Sequence, residues 1–153
     1  MLFGLCCMIG IRLGKKKTAY LKTIRSLRCD LQLFTDRVTA GSASLKDIAG
    51  ELTGTLSSVL QTYLDQLETG CGETRAADCA LESINAFGTV HAGLKMFLTG
   101  LSTATRKDLV LRVQTLMPTL ERAEAEAETE AKQARVFRIS GVLTGAGLAI
   151  LLL

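Results

Sequence analysis

The chain has 153 residues, of which 48% are hydrophobic and 22% are charged, and its formal net charge at neutral pH is +3. It contains one histidine, His91, and it has neither a G-x-S-x-G nucleophile signature nor a glycine-rich phosphate loop. Enzyme activity therefore has no positive support in the sequence. The length fits one domain, and the composition favours a structural or interaction protein.

The charges are strongly segregated along the chain. Residues 1–28 hold seven basic and no acidic residues, 29–131 hold eight basic and fifteen acidic ones, and 132–153 hold three basic and no acidic ones. A nucleic-acid-binding domain is expected to have a basic face on its folded part, whereas the long middle of this chain is acidic. We therefore expect no nucleic-acid partner.

Both ends of the chain are apolar. Residues 1–11 and 139–153 carry no charge, and basic clusters lie on the inner side of each run. These clusters, which we name the basic junctions, are Arg12, Lys15, Lys16 and Lys17 at the first end and Lys132, Arg135 and Arg138 at the second. Basic residues beside membrane segments tend to stay on the cytoplasmic side. The pattern predicts an N-terminal membrane anchor at 1–14, a cytoplasmic domain at 15–138 and a C-terminal membrane helix at 139–153, with both termini across the membrane.

Both predicted anchors are short, because crossing the hydrocarbon core takes about 20 helical residues. A start codon assigned too late would explain a truncated first anchor. The alternatives are a signal peptide at the first end and a buried core helix at the second. Gly141 and Gly145 form a G-x-x-x-G pattern that allows close helix packing in a membrane, although simple tolerance of glycine in such helices explains it equally well.

The middle reads as helices throughout. Apolar residues recur every three or four positions from Lys17 to Thr39, which predicts an amphipathic helix. Ser44 and Asp47 form a capping pattern that opens a short helix, and a further helix is predicted from Leu56 to Glu68. Thr69 to Glu73 is predicted as a loop.

The second half of the middle continues the helical pattern. A helix is predicted to carry Ala77, Leu81, Ile84 and Phe87, and a shorter piece to include Leu94 to Leu98. A turn at Ser102 to Thr105 precedes a long helix from Arg106, which Pro118 should kink or break at Met117. Strong helix formers then lead without a turn into the apolar end. The predicted fold is an all-α antiparallel helical bundle flanked by two membrane helices.

Two groups of polar residues are candidate sites. Glu121, Glu124 and Glu128 belong to an acidic run that could dock a basic partner, although a solvated helix face is the commoner meaning of such a run. Cys71, Cys79 and His91 do not have the spacing of zinc ligands, so no metal or cofactor is predicted and their role stays open.

The segment from Ala134 to Gly145 and the final Leu148 to Leu153 resemble the ending of the stage III sporulation protein AB family. The order of elements before it agrees: an apolar anchor, a basic junction, a helix like Leu21 to Val38 and a short helix like Ser44 to Leu52. Leu101 to Ala104 departs from the Leu-Gly turn that is usual in that family.

The resemblance implies a function as well as a fold. Members of this family are similar to the cytoplasmic domains of F-class platform proteins of type II secretion. The resemblance therefore implies a membrane platform in the channel that joins mother cell and forespore during endospore formation. Its expected partners are a secretion-type ATPase and other membrane subunits of the channel, and a homo-oligomer is left open. The alternative is a membrane-tethered helical sensor or signalling bundle.

Overall fold

The computed structural model describes residues 2–41, 44–84 and 88–151, and the side chains of 18–41, 44–84 and 88–133. Every regular element in these ranges is an α-helix, as the sequence predicts. The helices are α1 (Leu2–Ala40), α2 (Leu45–Glu51), α3 (Thr55–Glu68), α4 (Glu73–Glu82), α5 (Gly88–Leu98) and α6 (Arg106–Leu151). The all-α bundle is thereby confirmed.

The core forms around the first helix, which contacts α2, α3 and α6. Its buried positions recur every three or four residues, as the amphipathic pattern predicts; they are Ile24, Leu27, Leu31, Phe34 and Val38. The ring of Phe34 meets that of Phe97 edge to face, with centroids 5.6 Å apart and planes at 77°. This aromatic pair ties α1 to α5 across the interior.

A buried carboxylate joins α1 to the start of α3. Asp30 is 7% exposed and accepts a hydrogen bond of 2.8 Å from the backbone N–H of Leu56. The Ser26 hydroxyl accepts one of 3.1 Å from Thr55, the first residue of α3. A Cβ at Gly54 would overlap the Asp30 carboxylate, so the close approach requires glycine there. Burial raises the pKa of Asp30, and the backbone hydrogen bonds from Leu56 and Gly54 partly oppose that rise.

Several predicted boundaries hold and others need correction. The capping box of Ser44 and Asp47 is present at the start of α2. The fourth helix, however, ends at Glu82, so the prediction that it continues through Ile84 is wrong. The N–H of Ile84 donates to the carbonyl of Leu81 in a turn that follows the helix. Ile84 therefore lies beyond the end of α4, and its partly buried side chain packs against the core. Phe87 lies outside the described residues.

Proline does not break the last helix. Of the kink or break predicted at Pro118, the break at Met117 is wrong, because α6 runs from Arg106 to Leu151 with Pro118 inside it. A proline removes one backbone hydrogen bond, whereas Leu116 and Leu120 on either side are both buried and hold the helix against the core. The predicted continuity between the charged helix and the apolar end is confirmed.

The outer parts of α1 and α6 contain the predicted membrane segments. Within 2–41, 44–84 and 88–151, no helix combines the length and the apolar character needed to cross a membrane. The anchors at 1–14 and 139–153 stay a prediction.

Candidate functional site

The first and last helices pack against each other in antiparallel directions, and their contact is the most extensive between any two elements described here. We name this contact the seam. Its apolar side changes character along α6, from Leu116 and Leu120 to the smaller Ala123 and Ala127, all of them buried. Because alanine has a smaller side chain than leucine, we expect α1 and α6 to approach more closely at Ala123 and Ala127 than at Leu116 and Leu120.

Ion pairs follow the flank of the seam, and we name them the ladder. Arg25 Nε lies 2.9 Å from Glu124 Oε1, and a second nitrogen of Arg25 contacts Glu128. Arg28 contacts Glu124 through one nitrogen and lies 3.3 Å from Glu121 through another. Each arginine therefore spans one turn of α6. The ladder fixes the two helices in one register, since a slip of a turn would separate these pairs.

Glu124 is the centre of the ladder. Its side chain is 15% exposed, less than those of the other four ladder residues, and it accepts hydrogen bonds from both arginines. The hydrogen bonds from Arg25 and then Arg28 lower the pKa of this carboxyl against the opposing effect of its partial burial. The two arginines therefore favour the ionised form of this carboxyl.

The predicted partner surface is thus partly occupied within the chain. Glu121, Glu124 and Glu128 all face arginines of α1. Two further acids of the same run, Glu126 and Glu130, lie near Tyr20 and contribute, after burial, to raising the pKa of that phenol. Docking of a basic partner on the predicted three glutamates stays a prediction.

The residues of the basic junctions belong to the same two helices. Arg12, Lys15, Lys16 and Lys17 are on α1, and Lys132, Arg135 and Arg138 are on α6. Lys132 is exposed. The other six basic residues, Gly141 and Gly145 lie outside 18–41, 44–84 and 88–133, the ranges in which side chains are described. Membrane contact by these residues remains a prediction.

A second polar cluster lies at the turn between α5 and α6. Glu73 accepts a hydrogen bond of 2.8 Å from Gly100 N and another from the Ser102 hydroxyl. Arg112 donates to the carbonyl of Met96 at 2.9 Å, at the end of α5. Tyr63 lies buried beneath, with no hydrogen-bond partner for its hydroxyl among the described residues, and burial raises its pKa to about 12. This cluster is structural, since it satisfies helix ends and a turn.

Cysteine and histidine side chains are dispersed over the described part of the fold. Cys71 and Cys79 are free thiols in half-buried positions, and His91 is also half-buried. Across the described ranges, no three His, Cys, Asp or Glu side chains form a group able to hold a metal ion.

Sequence reasoning missed the arginines of the ladder and the cap at Asp30. The signal for the ladder was present, because Arg25 and Arg28 are three apart on one face of α1 and Glu121, Glu124 and Glu128 share a face of α6. Nothing in the local pattern marks Asp30, whose partner is 26 residues away in the chain.

These features define a class of protein, an all-α bundle in which the first and last helices pack against each other in antiparallel directions. The family model described as stage III sporulation protein AB matches residues 1–153, so the chain belongs to that family. The expected resemblance is confirmed.

A solved structure supports the fold. The chain titled "Stage III sporulation protein AB (SpoIIIAB)" is similar to this one with a TM-score of 0.58 and 24% identity, covering 74% of this chain and 97% of that chain. A search of curated proteins finds no match.

Family membership carries coarse functional conclusions. It indicates a role in the sporulation channel complex, interaction with other proteins of that complex, and a location at the membrane between mother cell and forespore. The family is one of sporulation structural subunits and is not a known enzyme family.

Proposed function

We propose that this chain is a non-enzymatic platform subunit that couples a secretion-type ATPase in the mother-cell cytoplasm to the membrane subunits of the channel. Residues 15–138 would form the cytoplasmic domain, and the segments at 1–14 and 139–153 would anchor it in the outer forespore membrane. The observation that carries the proposal is the continuity of α6, which runs from inside the bundle to Leu151 without a break. A displacement of the bundle would therefore reach the membrane segment through one rigid element.

The seam supports this arrangement, because an antiparallel pair of α1 and α6 would lead both proposed anchors away from the same side of the bundle. The ladder places Arg25 level with Glu124 and Glu128, and the helices are antiparallel. Arg12 is thirteen residues before Arg25, and Ile139 is thirteen residues after Glu126. Continuing the register along both helices brings the two basic junctions to the same level. That is where a membrane surface rich in anionic headgroups would meet a doubly anchored domain.

An insertion in α6 tests the coupling. Two glycines inserted after Ala127 should interrupt the helix where it leaves the bundle, since glycine is a poor helix former and two extra residues rotate everything beyond them. We expect heat-resistant spore counts to fall to the level of a deletion strain, with normal amounts of the protein by immunoblot.

The matched control is the same insertion after Gly70, an open position with a positive φ in the loop between α3 and α4. This variant should sporulate normally. Normal sporulation of the Ala127 insertion would contradict the proposal. An equal loss of sporulation in the Ala127 and Gly70 insertions would also contradict the proposal.

The two anchors have their own test. A reporter that is active only in the cytoplasm should be inactive when fused to either terminus and active when inserted after Gly70. Activity at either terminus would contradict a chain anchored at both ends.

The ATPase partnership is tested by copurification. The ATPase of the channel complex should be retained by the full-length chain extracted in an uncharged detergent, and it should still be retained by the Ala127 insertion, whose bundle is intact. Absence of the ATPase from both preparations would contradict the proposed partnership between this chain and the ATPase.

A further inference from the structure

The seam has an open stretch beyond the ladder. There, a groove of about 430 Å³ separates the two helices. It is lined on α1 by Gln32, Thr35 and Asp36 and on α6 by Val113, Gln114, Met117, Pro118 and Glu121. Glu121 belongs to both stretches, because one of its oxygens also meets Arg28. The groove is therefore the direct continuation of the ladder along the same flank.

The ladder and the groove differ in the positions of their basic residues. Along the ladder, α1 supplies arginines to the glutamates of α6. One and two turns farther along the same face of α1, the chain has Gln32 and Asp36 instead, and no lysine or arginine lines the groove from either helix. Asp36 is exposed and has no ion pair among the described residues, whereas its neighbour Arg37 lies 2.8 Å from Glu51 on another face.

The groove also offers acceptors and an apolar floor. Pro118 has no N–H and so does not donate the usual helical hydrogen bond to the carbonyl of Gln114. Gln32 and Gln114 add amide groups to the rim. Val113 is 3% exposed and Met117 packs against the core, so both form an apolar surface between the carboxylates.

We propose that this groove docks a basic helix of a partner protein, which inserts an arginine between Asp36 and Glu121 and an apolar side chain against Met117. The guest arginine would continue the ladder by the mode in which Arg28 bridges Glu121 and Glu124. An apolar residue one turn away would satisfy the usual pattern of a helix in a groove. We place the docking surface in the groove and not at Glu124 and Glu128, because arginines of α1 already pair with those two carboxylates. The proposal does not depend on which subunit of the complex supplies the helix.

A binding measurement tests the groove directly. The probe is a fluorescent synthetic helical peptide with two arginines and one leucine on one face, added to the full-length chain in an uncharged detergent. The control peptide carries citrulline in place of both arginines, which keeps the shape and removes the charge. We expect the arginine peptide to bind about tenfold more tightly than the citrulline peptide.

Asp36→Asn should weaken binding of the arginine peptide by about tenfold, because a charge-assisted hydrogen bond becomes a neutral one. Asp65→Asn removes an exposed aspartate outside the groove and should leave binding unchanged. Met117→Ser should weaken both peptides equally. Since Asp36 has no ion pair in the described structure, its substitution should not unfold the chain, which a thermal melt by circular dichroism checks.

Three results would overturn the proposal. The first is no binding of the arginine peptide at millimolar concentration, and the second is equal binding by Asp36→Asn and Asp65→Asn. The third is a change of oligomeric state, measured by sedimentation, on substituting Asp36 while the peptide does not bind. That last result would assign the groove to a second copy of this chain.

Discussion

The seam between α1 and α6 is held together differently at its two ends. In the bundle stretch, residues 31–38 of α1 and 109–120 of α6 bury leucine, valine and phenylalanine among the other helices. In the stem stretch, residues 18–28 of α1 and 121–133 of α6 bury Ile24 and Leu27 against alanines, and the ladder lies along the flank. The bundle stretch depends on buried apolar volume, whereas the stem stretch depends on close approach and charge.

This difference determines how each stretch responds to conditions. Burial of apolar surface contributes about 25 cal/mol per Å² and depends little on salt. Half-exposed ion pairs contribute less and are screened, since the Debye length is about 8 Å at physiological ionic strength. The bundle stretch should therefore keep its shape while the stem stretch adjusts, and in the doubly anchored platform that we propose the stem stretch would lie between the domain and the membrane.

The largest effect is expected from a cavity in the bundle stretch. Leu31 is fully buried, so Leu31→Ala removes packed methyl groups and should lower the free energy of unfolding by about 2–5 kcal/mol. The matched control is Leu111→Ala on α6, where the side chain is 62% exposed and the change should stay within about 0.5 kcal/mol. Urea unfolding of the full chain in an uncharged detergent measures both. Equal losses in the two variants would mean that volume does not hold the bundle stretch together.

The reverse change should be harmful in the stem stretch. Ala127 is 5% exposed and lies in the seam, so Ala127→Leu should overpack the contact between the two helices and cost about 1–3 kcal/mol. Ala125→Leu introduces the same side chain at an exposed position of the same helix and should change stability by less than about 0.5 kcal/mol. The same unfolding experiment compares them. If Ala127→Leu is tolerated as well as Ala125→Leu, the alanines do not set the helix separation.

The sequence predicts the bundle stretch better than the stem stretch. The period of three to four in α1 identifies Leu31, Phe34 and Val38 as core residues, because burial of one helix face leaves a local signal. The ladder, the Asp30 cap and the groove each need two segments far apart in the chain, and local spacing cannot show which acid faces which base. Pro118 illustrates the same limit: propensity predicts a kink or a break, and α6 runs on through Pro118 with Leu116 and Leu120 buried on either side.

A smaller loss is expected from the centre of the ladder. Glu124→Gln removes the charge that both arginines share and should cost about 1 kcal/mol at low salt, less as salt is added. Glu82→Gln on α4, an exposed position outside the seam, serves as the control. Unfolding measured across salt concentrations should show the difference between the two variants shrinking. A salt-independent difference would indicate lost packing rather than lost charge.

The pH dependence gives the ladder a separate signature. The pKa of Glu124 is lowered in the folded chain, so its contribution is present above its ordinary value of 4.5 and is lost as pH falls through the lowered value. The pKa of Asp30 is raised, so its contribution is present below its ordinary value of 3.8 and is lost as pH rises through the raised value. Glu124→Gln should therefore flatten the acid side of the stability profile, and Asp30→Asn should change it in the opposite direction. Changes of the same sign would contradict this assignment.

The smallest effect should come from extending the ladder into the groove. Asp36→Arg places a guanidinium on the rim of the groove that Glu121 also lines, two turns beyond Arg28 on the same face of α1, and should raise the free energy of unfolding by no more than about 0.5 kcal/mol. Asp65→Arg makes the same charge change away from the seam and should give no salt-sensitive gain. In that case charge would stabilise the groove as it stabilises the stem stretch, whereas buried apolar volume would still stabilise the leucines beneath the groove. A loss of stability on Asp36→Arg greater than that on Asp65→Arg would show that Asp36 has a structural role, and the two stretches would no longer be separable at Glu121.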